Sequence, residues 1–131
     1  GVSLTATWLA VRRLLDPELA AVAGMLHDLT NYTLGESADH ARRSAEAASA
    51  LLGRLGTFSD DEIAVVARAI ARHRDKDAID GPMDEILKDA DVLQHWLYNP
   101  ALPPSRHVAR RERLERELAL RGDPTRGRRP M

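Results

Sequence analysis

Apolar residues recur three and four positions apart in stretch after stretch of this 131-residue chain, and no strand can be read in it. That period restricts it to an all-α fold. Leu4, Trp8, Val11 and Leu15 line one face of a first helix. A second starts at Asp16, with Pro17 in the first-turn position that proline favours, and carries Leu19, Val22, Ala23 and Leu26. Residues 29–35 read as a loop, and 36–55 as an Ala-rich helix with apolar positions at Ala41, Ala45, Ala48, Leu51, Leu52 and Leu55. Ser59 and Glu62 stand in capping-box register ahead of Ile63, Val66, Ala67 and Ile70. A charged connector at 75–81 leads to Pro82 and a helix bearing Ile86, Leu87, Ala90, Val92 and Leu93. Asn99 with Pro100 and Pro103 with Pro104 then break the chain. The expected architecture is five core helices over residues 1–100. To these is appended 101–131: a polar helix from about 105 to 120 and a basic tail, 122–131, expected to be disordered.

What the chain lacks narrows its chemistry. With no cysteine it has no disulfide, no thiolate nucleophile and no Cys-ligated zinc or iron–sulfur site. One Phe, two Tyr and two Trp are too few for a nucleic-acid binder built on stacking platforms. No apolar run is long enough for a membrane span and the start lacks a signal-peptide layout, so the cytoplasm is the expected location. Residues 1–100 carry ten Lys/Arg against sixteen Asp/Glu, whereas 101–131 carry nine Arg against four acids. An acidic body does not suggest specific nucleic-acid binding.

Histidine and aspartate carry the functional signal. His27 is followed at once by Asp28 where the most apolar helix runs out, His40 lies near the start of the third helix, and His73 ends the fourth. Asp91 sits midway along the fifth between Ala90 and Val92, and a carboxylate on an apolar run asks for a cation. Taken singly, each has an ordinary structural explanation, as a helix end, a cap or a solvated charge. Taken together, three imidazoles and two carboxylates from four helices make a site for a divalent metal. Trp8 reads as core, His95 as packing or as a partner of a metal ligand, and His107 as surface. Arg74, Lys76 and Lys88 could meet a phosphate.

The order of these segments resembles the HD-domain superfamily of metal-dependent phosphohydrolases. Residues 20–28 (AAVAGMLHD), 40–48 (HARRSAEAA), 70–73 (IARH) and 86–93 (ILKDADVL) are similar to its successive histidine and aspartate helices. The last of them places the ligand at Asp91 rather than Asp89. The resemblance covers roughly residues 1–100 and implies a compact helical bundle with His27, Asp28, His40, His73 and Asp91 as metal ligands. His27, Asp28 and Asp91 would hold one ion, and His40 and His73 would recruit a second, with Asp28 bridging. The ligand types suit Mn, Fe, Co, Ni, Zn or Mg without choosing among them. The family also has a histidine further upstream. None precedes His27, and its expected place falls at or just before residue 1, so a chain that begins just after it is the simplest expectation and loss of a ligand the alternative. The lysine or glycine that many members carry shortly after the His-Asp pair has no counterpart in Leu29-Thr-Asn-Tyr32.

The implied activity is hydrolysis of a phosphate ester of a nucleotide or small metabolite by metal-activated water. Asp28 is the candidate catalytic residue, and Arg74 and Lys76 the candidate substrate-binding cations. Two alternatives stand beside it: a di-iron oxygenase on the same scaffold, and a binding or regulatory module with a degraded site. The expected partner is a small phosphorylated molecule, with neither membrane nor specific nucleic acid. The sparse apolar positions of the last helix (Val108, Leu114, Leu118 and Leu120) could pack on the chain itself or form a homodimer.

Overall fold

The computed structural model describes residues 1–28, 39–98 and 108–118. These form six helices and, among the described residues, no strand: α1 (Val2–Arg12), α2 (Pro17–Leu26), α3 (His40–Leu55), α4 (Asp60–Arg72), α5 (Pro82–Tyr98) and α6 (Val108–Leu118). The all-α reading holds. None of these helices is long and apolar enough to cross a membrane. The loop read at 29–35, the helix start read at 36–38, the break after Tyr98, His107 and the tail all lie outside the described residues.

Local chemistry sets the helix ends. The Asp16 carboxylate accepts the Glu18 and Leu19 N–H groups at 2.9 and 3.3 Å, and Pro17 opens α2. Ser59 Oγ accepts the Glu62 N–H at 3.1 Å while Glu62 Oε1 accepts the Ser59 N–H at 2.8 Å, closing the capping box that starts α4. Gly56, at φ 70°, stops α3 in the left-handed conformation that favours glycine. The first helix ends sooner than its periodicity implies. At Leu14 the backbone turns to φ 59°, and Leu15 N–H reaches back to Ala10 O at 2.9 Å, so Leu15 lies beyond α1.

Two apolar clusters share α5 as their common wall. Leu87 faces one, with Leu19 and Ala23 of α2, Ala45, Ala48 and Leu52 of α3, and Val66 and Ile70 of α4. Ile86, Ala90 and Leu93 face the other, with Ala6, Leu9 and Ala10 of α1, Ala20 of α2 and Leu114 of α6. This arrangement corrects the face assigned to α1. Leu4, Trp8 and Val11 point outward, Trp8 being 45% exposed, and the small face of Ala6, Leu9 and Ala10 goes inward. Close approach explains the choice. A Cβ on Gly24 would stand 2.5 Å from Ser3 Cα, so α1 and α2 cross at a distance that only small side chains permit. Ser3 Oγ donates to Ala21 O across the same crossing at 2.8 Å.

The connector between α4 and α5 is pinned by buried cations. Lys88 Nζ, with no exposed surface, donates to Ala78 O at 2.8 Å and to Asp80 Oδ2 at 2.7 Å, and lies 3.1 Å from Glu85 Oε2. It has no reach left for a phosphate, which corrects that candidate role. Arg110 of α6 donates to Glu85 and Asp89 at 2.9 and 2.8 Å and to Lys76 O at 2.9 Å.

Candidate metal centre

Three helix ends meet beside the middle of α5. His27 is the C-cap of α2 with Asp28 next to it, His73 is the C-cap of α4, and His40 is the first residue of α3. Two of these ends are C-termini, whose partial negative charge favours a cation in front of them. All three histidines are buried. The His27 and His73 rings stand edge to face at 5.1 Å, and those of His40 and His73 at 6.3 Å.

Backbone carbonyls fix the ring nitrogens. His27 Nδ1 lies 2.7 Å from Gly24 O and His73 Nδ1 lies 2.6 Å from Ile70 O. A carbonyl only accepts, so both Nδ1 atoms carry hydrogen and donate, and each ring turns its Nε2 toward the cluster. That is how ligating histidines are held. His73 is also kept neutral: burial, reinforced by His27 and Lys76 nearby, pushes its imidazole down to about 4.

The carboxylates close the group. Asp28 reaches His40 Nε2 with Oδ1 at 2.8 Å and His27 Nε2 with Oδ2 at 3.1 Å, so one carboxylate spans two imidazoles. The contact with His27 needs a positive charge between its atoms, a proton or a metal ion, because the other ring nitrogen's hydrogen is already committed to Gly24 O. Asp91 Oδ1 stands 4.0 Å from His27 Nε2, too far for a hydrogen bond and near enough for both to face one ion. One ligand atom each from His27, Asp28 and His73 all lie within 4.8 Å of one another. The donor set and its spacing fit a divalent metal.

Asp91 already has a cationic neighbour. Burial works against its charge, but Lys76, His27 and His73 outweigh it and hold the carboxyl below the usual carboxylate range. Lys76 Nζ lies 2.6 Å from Asp91 Oδ2. Arg74, the other candidate substrate cation, is exposed on the same connector. His95 is exposed on α5.

The second acid of the Asp-Ala-Asp segment does something else. Two residues along a helix turn through more than half a revolution, so Asp89 points away from the centre. It is bound there by Arg13 and Arg110, both at 2.8 Å, and Arg13 also pairs with Glu117 at 2.8 Å. Sequence reasoning missed this buried network. Its only trace was an acid inside an apolar helix whose partners lie on helices far away in the chain.

The HD domain family model matches residues 1–96, which include every candidate ligand and exclude α6. No curated protein matches the chain. Among solved structures, a predicted HD superfamily hydrolase from an uncultured Thermotogales bacterium is similar, with a TM-score of 0.62 and 27% sequence identity. The match covers 91% of this chain and 70% of that one.

Proposed function

This chain belongs to the HD-domain family, and we propose that it is a metal-dependent phosphohydrolase acting on a phosphate ester of a nucleotide or small metabolite. One observation carries the reading. His27 and His73 spend their Nδ1 hydrogens on Gly24 and Ile70 carbonyls and turn Nε2 toward the carboxylates of Asp28 and Asp91. The similarity to a predicted HD superfamily hydrolase supports the reaction class.

In this reading His27, Asp28 and Asp91 would hold one divalent ion, and His40 and His73 would recruit a second. Bound there, the metal supplies the charge that polarises a phosphoryl oxygen and acidifies a water. Asp28 is the catalytic carboxylate, balancing charge and orienting His27 and His40 through its two oxygens. Lys76 and Arg74, on the connector beside the centre, offer cations to the non-bridging oxygens of the substrate. Water adds its oxygen to phosphorus, the ester P–O bond breaks, and the departing oxygen takes a proton to leave as the alcohol.

Metal analysis combined with phosphate release from model esters in manganese or cobalt tests this. The protein is expected to bind one or two ions and to lose its activity to a chelator. His27→Ala and Asp91→Ala should lower turnover by at least about a hundredfold while keeping helical circular dichroism, since even partners of metal ligands are worth ten- to a hundredfold. A folded protein that binds no metal, or one that purifies with iron and consumes oxygen without releasing phosphate, would overturn the proposal.

A further inference from the structure

Lys76 is fixed at its backbone, which leaves only its side chain to change position. Its N–H donates to Arg74 O at 3.1 Å and its carbonyl accepts from Arg110 Nη2 at 2.9 Å. Two residues on, Lys88 grips Ala78 O. The peptide therefore cannot follow the side chain, whereas the four-carbon stem can swing the ammonium through several ångströms. At present that ammonium sits 2.6 Å from Asp91 Oδ2, only a tenth of its side chain exposed. The other oxygen of the same carboxylate faces His27 Nε2 across 4.0 Å. A divalent ion drawn into that gap meets a second cation on the carboxylate it needs, and two cations with so little water between them repel strongly.

We infer that the Lys76 ammonium and an entering divalent ion compete for Asp91, and that the displaced ammonium becomes the anchor for an anionic oxygen of the substrate. This rests on the metal-centre reading above and adds a coupling to it. Metal binding frees the lysine that phosphate needs. By reciprocity, phosphate held by the lysine strengthens metal binding. Exchange is favoured over a mere surface charge because the connector is built to present this one side chain: two buried cations from other helices hold its backbone.

Calorimetric titration of manganese alone into wild type, Lys76→Met, Asp91→Asn and the double variant tests the competition, with thermal melts to verify folding and Lys76→Gln as a second replacement. Lys76→Met is expected to bind manganese about tenfold more tightly, a 1.4 kcal/mol gain. The gain should shrink to less than about twofold when Asp91 is already Asn, as expected for coupled neighbours. In a second titration, inorganic phosphate should bind the manganese-loaded wild type several-fold more tightly than loaded Lys76→Met. Equal or weaker manganese binding by both lysine variants overturns the competition. So does an undiminished gain in the Asp91→Asn background, which would make the lysine a charge acting through space. Equal phosphate affinity overturns the release. In these cases wild type still binds manganese and the metal centre stands; a folded wild type that binds none removes both readings together.

Discussion

His73 is the residue on which the electrostatics of the centre turn. Its folded value of about 4 lies below the ordinary 6.5, so between those two pH values the unfolded chain takes up a proton that the fold refuses. The stability is complete above pH 6.5 and is lost progressively as the pH falls to 4, by about 3 kcal/mol. Urea unfolding of chelator-treated protein across that range should show the decline, and His73→Asn should flatten it. Parallel curves for the two proteins would contradict the assignment. In the proposed centre the same depression would leave His73 with no proton for a metal to displace in mildly acidic solution. At this scale the sequence was informative about the centre itself. Singly, His27, Asp28, His40, His73 and Asp91 each had an ordinary explanation at its helix position; their order on successive helices singled them out, and the fold sets them side by side. Partners were less legible. A lysine within an acidic connector has many carboxylates in reach, and only the tertiary path of 75–81 selects Asp91 for Lys76 and Asp80 for Lys88.

The helices show the same division between local and distant causes. Asp16 with Pro17, and Ser59 with Glu62, are start signals contained within a few residues, and both were readable before any packing was known. Ser59→Ala should therefore cost about 1 kcal/mol and lower the midpoint of thermal unfolding by several degrees, while Ser59→Asp should keep the cap. Equal melts for Ala and wild type would show that packing alone starts α4. The inward face of α1 was not readable in this way. Two apolar stripes run along it, and hydrophobicity favours Leu4, Trp8 and Val11. Contact distance favours Ala6, Leu9 and Ala10, and distance decides because Gly24 lets α2 approach. The periodicity names a helix; the neighbour chooses its face.

At the scale of the whole molecule, α6 joins the polar networks to the core. Leu114 is completely buried against α1 and α5, Arg12 and Arg13 hold Glu117, and Arg110 holds Glu85, Asp89 and the Lys76 carbonyl. Leu114→Ala should lower stability by about 2–5 kcal/mol and leave a single unfolding transition. A separate early transition for α6 would contradict its place in the common core. The sequence showed α6 as a sparse pattern of leucines among arginines, and a helix whose buried charges pair with distant helices has no local signature. Asp89 and Asp91 have one more consequence. The arginines grip α5 on one flank and the imidazoles face it on the other, so the helix behaves as a keyed shaft. Any twist that withdrew Asp91 from His27 would tear Asp89 out of its cage. Access to the centre must therefore come from sliding of the surrounding elements or swinging of side chains, with α5 as the fixed axle.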